Sequence, residues 1–191
     1  MNILVLSDSH GNISNMEEAV EREKPDMILH LGDCWRDAER LAERYPDIPM
    51  EHVPGNCDCR PEEPAEKLLF LEDCRVLICH GHTCGVKTSL LTAGLKAEQD
   101  HLDAFLFGHT HKPLVDKRGR TLFLNPGTVG KGLRPTYGIL TVEGDRIDGR
   151  KGLWIKDAPG REPEILTGMA CTGAQVMMFS TGRGAPQGFP S

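Results

Sequence analysis

The sequence NILVLSDSHGN, residues 2–12, joins an apolar run to a polar turn that holds Asp8 and His10 two positions apart. The leucine and β-branched residues before Ser7 predict a buried strand. The segment after the turn repeats apolar residues at helical spacing as far as Pro25, and Ser14 suits the N-cap position. A strand followed directly by a helix predicts the first unit of an α/β fold.

The same combination of an apolar run and a polar end returns along the chain. The later runs end in Gly-Asp33, Gly-Asn56, His80-Gly-His82 and Gly-His109-Thr-His111. Helical segments separate several of these runs, whereas the segments from residue 113 onward are typical of strands joined by tight glycine turns. The pattern predicts an α/β domain with a partly parallel and partly antiparallel sheet system.

The polar ends of these strands carry side chains that bind metals. The carboxyl ends of strands gather at one edge of an open α/β sheet, so we expect these side chains to meet in one cleft. Carboxylate, amide and imidazole groups together suit divalent metals of intermediate softness, such as manganese, iron, nickel or zinc. Residues two positions apart on an extended stretch face the same side, so His109 and His111 can point into one cavity.

Composition narrows the class of protein. The chain has 191 residues, is 39% hydrophobic and carries a net charge of −6 without a basic run. This charge argues against an extended nucleic-acid surface, and no apolar stretch approaches the roughly 20 residues of a membrane span. The N-terminus lacks the pattern of a signal peptide, which predicts a cytoplasmic protein. Seven scattered cysteines without a C-x-x-C pair argue against a structural zinc site or a disulfide framework.

Taken in order, six motifs resemble the calcineurin-like metallophosphoesterases, and above all their small bacterial and archaeal phosphodiesterase branch. The motifs are SDSHGN, HLGD, VPGNCD, ICHGH, FGHTHKP and LNPGTVG, and the resemblance runs from Met1 to about Lys151. It implies a four-layer α/β/β/α sandwich with mixed sheets, followed by an irregular C-terminal tail. It also implies a dinuclear metal-dependent phosphodiesterase that hydrolyses a small phosphate ester by attack of a metal-bridging hydroxide. The alternatives are a phosphomonoesterase and a non-catalytic protein-binding scaffold on the same fold.

Carried over residue by residue, the resemblance implies a set of metal ligands. Two divalent cations would bind, with Mn²⁺ in first place and Ni²⁺, Fe²⁺ or Zn²⁺ as alternatives. Asp33 would bridge both cations, because a carboxylate offers two oxygens. The implied ligands are Asp8, His10 and His111 for the first metal, and Asn56, His80 and His109 for the second.

Other residues near these motifs are candidates for roles beside the metals. His82 would contact the substrate phosphate or protonate the leaving oxygen, and Asn12 would bind phosphate. Asp58 would orient His80 or another ligand, with stabilisation of its own turn as the alternative. Cys57 stands where many members of the superfamily have a histidine that is thought to act as the general acid. A thiol is a poor substitute for an imidazole with a pKa of about 6.5, so we expect weaker assistance to poor leaving groups.

The character of the sequence changes from about Gly152. The stretch LTGMACTGAQVMMFSTGRGAPQGFP resembles the C-terminal end of the altronate/galactarate dehydratase-type proteins. It is too short to bury a core of its own. We therefore expect a phosphoesterase domain at residues 1–151 and a dehydratase-like fragment at residues 152–191 that is not an independent domain. The sequence leaves the oligomeric state open, with a homo-oligomer as one possibility.

Overall fold

The computed structural model describes residues 1–59, 63–130 and 134–143. Over these ranges the strands and helices alternate first and strands follow later. The strands are β1 (Asn2–Leu6), β2 (Met27–His30), β3 (Met50–His52), β4 (Glu66–Leu71), β5 (Cys74–Cys79), β6 (Ala104–Leu106), β7 (Leu114–Arg118), β8 (Thr121–Asn125) and β9 (Gly138–Thr141). The helices are α1 (Ile13–Glu23), α2 (Trp35–Arg44) and α3 (Leu91–Gln99).

The strands form two mixed sheets. The first has the order β3-β2-β1-β9, in which β1, β2 and β3 run parallel and β9 pairs antiparallel with β1. The second has the order β4-β5-β6-β8-β7, in which β5, β6 and β8 run parallel while both edge strands are antiparallel. Parallel neighbours bring their carboxyl ends to one edge of each sheet, as the motif pattern requires.

The cores show how the layers stack. Strand β1 is apolar on both faces because each face is covered. Ile3 and Val5 pack between the two sheets with residues such as Val76 and Leu106. Leu4 and Leu6 pack on the other face of the first sheet, in the cluster that includes residues of α1 and α2. A third cluster lies between the second sheet and α3 and includes three phenylalanines, Phe105, Phe107 and Phe123. The predicted four-layer α/β/β/α sandwich with mixed sheets is therefore confirmed.

Several local predictions need correction or fall outside the described residues. Helix α1 is capped by Asn12 and not by Ser14, because the Asn12 side chain accepts the backbone N–H of Asn15. The sequence pattern does not predict strand β4. Its side chains Leu68 and Phe70 are apolar but exposed, so the strand lacks the alternation of apolar and polar residues that marks a half-buried strand. The last of the strands expected after residue 113, at residues 145–151, and the tail at residues 152–191 lie outside the described residues. In the described part of the chain, none of the helices has the length and apolar character needed to span a membrane.

Candidate metal centre

The loops that follow β1, β2 and β6 bring a first group of predicted ligands together. One ligand atom from each of four side chains lies within 4.8 Å of the others. The Nε2 atom of His111 lies 3.0 Å from Oδ1 of Asp8, and the Nε2 atoms of His10 and His111 are 3.4 Å apart. His10 Nε2 also lies 3.9 Å from Oδ2 of Asp33. This group consists of Asp8, His10, Asp33 and His111.

A second group lies on the other side of the Asp33 carboxylate. The Nε2 atom of His80 is 3.1 Å from Oδ1 of Asn56 and 3.3 Å from Oδ1 of Asp33. The ring of His109 packs edge-on against that of His80, with 4.9 Å between the ring centroids. Asp33 thus turns Oδ2 toward the first group and Oδ1 toward the second. Both sheets contribute, because β1, β2 and β3 belong to one sheet and β5 and β6 to the other.

The backbone at these positions is strained. A non-glycine residue in the left-handed region costs of order 1–3 kcal/mol and persists only where its surroundings hold it. Asp8, His10 and Asp33 have φ values of 55°, 46° and 57°. His109 and His111 have φ values of 66° and 56°. Five of the seven predicted ligands therefore adopt this conformation, and the extended stretch expected at His109 and His111 is wrong, since both follow the end of β6 in left-handed backbone.

The donor set fits a cation. The Nδ1 atom of the buried His80 lies 2.7 Å from the carbonyl oxygen of Leu31. A carbonyl only accepts, so Nδ1 carries the proton, and in the neutral ring the Nε2 lone pair faces the oxygens of Asn56 and Asp33. The buried Oδ1 atom of Asp8 makes no hydrogen bond of good geometry among the described residues, although His111 Nε2 lies 3.0 Å away. Lone pairs that face one another without a proton between them are satisfied by a metal ion, and a ring N–H bound to a carbonyl is typical of a metal-ligating histidine.

The charges of the site follow from burial and from its hydrogen bonds. Burial raises the pKa of the Asp33 carboxyl, but the backbone N–H of Cys57 and the His80 imidazole outweigh it, so the pKa of Asp33 lies below its ordinary value. Burial is the main cause that lowers the pKa of both His82 and His109, and the neighbouring His80 adds to it. The carboxylate is therefore ionised and these imidazoles are neutral near neutral pH. Those are the forms in which such groups bind metals.

The cleft is closed at its base and open at its rim. Asp8 and His80 are fully buried, and Asp33 is 2% exposed. His10 and His111 have side chains that are 37% and 45% exposed. A solvent-borne substrate can therefore reach the two groups from the side of His10 and His111.

The structure places the other candidate residues around this cleft. The ring of His82 lies 5.5 Å from that of His80, centroid to centroid, and its buried Nδ1 atom has no partner among the described residues. Asn12 lies at the start of α1, where its side-chain oxygen serves as the helix cap. Cys57 is exposed, and its backbone N–H donates to Asp33 Oδ1 at 3.0 Å. The pKa of Cys57 is raised to about 11. The main cause is the hydrogen bond between its thiol and Asp33, and burial is the second cause.

Asp58 fastens two loops of the site to each other. Its Oδ2 atom accepts the N–H of Gly55 at 2.7 Å. Its Oδ1 atom accepts the N–H groups of Cys34 and Trp35 at 2.9 and 3.2 Å. These contacts hold the turn that carries Asn56 against the turn that carries Asp33. They agree with the alternative role of Asp58, the stabilisation of its own turn. The role of Asp58 in orienting a ligand remains a prediction.

Two residues outside the proposed ligand set hold the loops of the site, and the first of them did not stand out in the sequence. Asp37, in the first turn of α2, is buried and accepts hydrogen bonds from Ser9 and Gly11 on either side of His10. Thr128 donates its hydroxyl to the carbonyl oxygen of Asp8 at 2.7 Å. The only sequence signal for Asp37 is an acidic residue in a first helical turn, which many helices have for electrostatic reasons.

Comparison with family models gives two matches. The calcineurin-like phosphoesterase superfamily domain matches residues 1–145. The C-terminal domain of D-galactarate/altronate dehydratase matches residues 127–191, which begins earlier than the expected residue 152. Within the overlap, β9 pairs with β1 and Thr128 bonds to Asp8, so the described part of the overlap belongs to the four-layer sandwich.

Individual relatives extend this picture. A probable metallophosphoesterase, YsnB of Bacillus subtilis (strain 168), is 34% identical over 172 residues, which cover 87% of this chain and 96% of the relative. Phosphodiesterase YfcE of Escherichia coli (strain K12) is 29% identical, over 73% of this chain and 87% of that protein. A crystal structure from Streptococcus pneumoniae TIGR4, described as a predicted phosphoesterase, superimposes with a TM-score of 0.62 at 27% identity, over 74% of this chain and 83% of that chain.

Proposed function

Because this chain belongs to the calcineurin-like phosphoesterase superfamily, we propose that it is a dinuclear phosphodiesterase that hydrolyses a small phosphodiester substrate. The resemblance expected from the motifs is confirmed, and so is the broader class, a metal-dependent phosphoesterase. The observation that carries the proposal is the Asp33 carboxylate, which turns one oxygen toward His10 and the other toward His80. A bridge between two cations requires this arrangement.

The proposed ligands divide into two groups that share Asp33. Bound divalent cations, Mn²⁺ in first place, would supply Lewis acidity that lowers the pKa of a shared water and offsets the charge on the phosphate. The protein supplies positions and protonation states. Asp33 stays ionised, Asn56 adds a neutral oxygen, and His80 is held by the Leu31 carbonyl with its Nε2 atom toward the cleft. The proposed ligands are Asp8, His10 and His111 in one group and Asn56, His80 and His109 in the other.

Two further residues are proposed to act on the substrate. The ring of His82 is half-buried and lies beside that of His80, so its more open side could meet a phosphate oxygen or a leaving oxygen that needs a proton. The Asn12 side chain stands at the N-terminus of α1, where the free N–H groups and the helix dipole favour an anion. Both residues lie in or beside the loops that carry the proposed ligands.

The alternative of a non-catalytic scaffold on the same fold predicts a degraded site. Here the proposed ligands are all present, and their strained backbone is retained at five of the seven positions. Strain of this kind weakens a fold that has no use for it. The enzyme is therefore the better proposal. A phosphomonoesterase would use the same ligands, so only substrate comparison separates it from a diesterase.

Removal of metal should abolish activity. Full-length protein dialysed against EDTA should hydrolyse bis(4-nitrophenyl) phosphate at least about 100-fold more slowly than protein with Mn²⁺, since Lewis-acid stabilisation is worth several kcal/mol. Release of 4-nitrophenolate measures the rate, and Mn²⁺ added back should restore it, with Ni²⁺, Fe²⁺ and Zn²⁺ tested in parallel. Unchanged activity after chelation would contradict the proposal. Faster hydrolysis of 4-nitrophenyl phosphate than of the diester would favour the phosphomonoesterase.

Cys57 should limit the range of leaving groups. An imidazole with a pKa of about 6.5 donates a proton far better near neutral pH than a thiol. Cys57→His should therefore accelerate hydrolysis of a diester with an alkoxide leaving group by about 10- to 100-fold, up to the lower end of the roughly 100- to 10,000-fold that a general acid contributes. Hydrolysis of the bis-aryl diester, whose leaving group needs little protonation, serves as the control and should change by less than about 3-fold. Equal effects on both substrates would show that Cys57 does not stand at the leaving group.

The domain boundary also remains a proposal. We assign residues 1–151 to a cytoplasmic phosphoesterase domain and residues 152–191 to a dehydratase-like fragment that adds no dehydratase activity. The match to the dehydratase family is confined to residues 127–191, a short piece on which to build a second core. A chain ending at Lys151 should keep the metal-dependent hydrolysis of the full chain, and loss of that activity would contradict the boundary.

A further inference from the structure

The loop between β1 and α1 carries two proposed ligands in an unfavourable conformation. Asp8, His10 and Gly11 all have positive φ values, 55°, 46° and 84°. The left-handed conformation costs roughly 1–2 kcal/mol for a residue with a Cβ atom. The His10 side chain is 37% exposed, so packing constrains it less than it constrains the fully buried Asp8. The position of its imidazole therefore depends in part on the contacts that fix the backbone on either side of it.

Asp37 supplies that support from α2. Its Oδ2 atom accepts the hydroxyl of Ser9 at 2.7 Å and the backbone N–H of Gly11 at 2.7 Å. These two residues flank His10, so one carboxylate oxygen holds the loop on both sides of the proposed ligand. Asp37 is 3% exposed, and its only described ion pair is a long one, 4.0 Å to the exposed Arg40. Hydrogen bonds to a buried carboxylate are among the stronger ones in proteins.

Building on the proposed function, we propose that Asp37 is a positioning residue that holds the His10 side of the metal centre in its binding geometry. Asp37 is not itself a ligand: its Oδ2 atom is taken up by two donors, and it is absent from the group of side chains whose ligand atoms converge. The second group does not depend on it, because Asn56 is held through Asp58 and His80 through Leu31. Asp37 therefore acts on one half of the centre.

Asp37→Asn and Asp37→Ala separate the effect of the two hydrogen bonds from the effect of the negative charge. In Asp37→Asn the amide oxygen can take the place of Oδ2 and accept both donors, so the loop keeps its support without the charge. In Asp37→Ala both hydrogen bonds disappear, so that Ser9 keeps only its longer bond to the Asp33 carbonyl oxygen and the exposed Gly11 loses its fixed acceptor. A positioning role predicts a large effect of alanine and rescue by asparagine.

The test uses full-length protein freed of metal by dialysis and titrated with Mn²⁺ in a calorimeter. Wild type should bind two equivalents. Asp37→Ala should bind one of them at least about 10-fold more weakly, the scale found when the residue that orients a metal ligand is lost. Asp37→Asn should stay within about 3-fold of wild type. Asp103→Ala is the matched control, since this carboxylate also accepts a backbone N–H and pairs with an arginine, but it lies at the other end of β6 from the proposed ligands. It should leave both affinities unchanged.

A second measurement does not depend on metal binding. Hydrogen–deuterium exchange of the peptide that contains residues 8–12 should rise in Asp37→Ala and stay at the wild-type level in Asp37→Asn and Asp103→Ala. If Asp37→Ala does not fold, Ser9→Ala, which removes one of the two hydrogen bonds, should give a smaller change in the same direction. Wild-type affinities and exchange in Asp37→Ala, or equal losses in the alanine and asparagine variants, would overturn the inference. A wild type that binds no Mn²⁺ would instead overturn the proposed function, and the exchange data would still decide the role of Asp37.

Discussion

Asp33→Asn should reduce hydrolysis of bis(4-nitrophenyl) phosphate by at least about 1,000-fold in the presence of Mn²⁺, a loss of about 4 kcal/mol in transition-state stabilisation. The asparagine keeps the size of the side chain and one oxygen, so the backbone N–H of Cys57 retains an acceptor. What disappears is the second oxygen and the negative charge between the two groups of imidazoles. A carboxamide cannot bridge two cations in the manner of a carboxylate.

The control for this prediction is Asp103→Asn, which neutralises another carboxylate that takes part in hydrogen bonds. Asp103 accepts the backbone N–H of Arg75 and pairs with Arg120, and it precedes β6 whereas the proposed ligands follow that strand. It should lower stability slightly and leave the rate within about 2-fold of wild type, as expected for a surface ion pair. His109→Ala should behave like Asp33→Asn, because it deletes a proposed ligand. Substantial Mn²⁺-dependent hydrolysis by Asp33→Asn would mean that the assigned roles are wrong.

Gly108→Ala should disable the centre from a position that has no side chain. A Cβ atom at this residue would overlap the Oγ atom of Ser7 and lie 2.7 Å from Oδ2 of Asp8. Both neighbours are fully buried, so neither can move aside without shifting the loop that carries the ligands. Overpacking of this kind costs typically about 1–3 kcal/mol, and here the displacement falls on Asp8 itself. We expect a lower melting temperature and at least about a 100-fold loss of hydrolysis, since a misplacement of about 1 Å can cost that much.

Gly94→Ala is the matched control for that substitution. Gly94 lies in α3, and a Cβ atom there would have no neighbour within 4 Å. Alanine in a helix interior is favoured over glycine by about 1 kcal/mol, so this variant should melt at a higher temperature and keep full activity. If Gly108→Ala melted and reacted like wild type, the close approach of this backbone to Asp8 would be wrong.

The sequence placed each proposed ligand in a short motif after a strand, and the structure brings these motifs to one cleft. Local rules place Asp8, Asp33 and His109 at carboxyl ends, and parallel pairing then brings those ends to one edge. The division of the strands between two sheets could not be derived from local pattern, because pairing order depends on contacts between distant segments. The family resemblance supplied it.

The parts that the sequence did not reveal depend on tertiary contacts. Asp37 gains its importance only because the first turn of α2 packs beside the loop of His10. Strand β4 went unrecognised because two of its apolar side chains face outward, with Phe70 66% exposed. The Asn12 cap differs from the expected Ser14 by two positions, which is the usual uncertainty at a helix end.

The most direct test of the account is an anomalous difference map from crystals of the full chain grown with Mn²⁺, recorded at the manganese absorption edge. Two peaks about 3.5–4 Å apart, one on each side of the Asp33 carboxylate, are the predicted result. One peak should contact His10 and His111, and the other should contact His80 and His109. A single peak, or peaks that do not touch Asp33, would contradict the dinuclear centre.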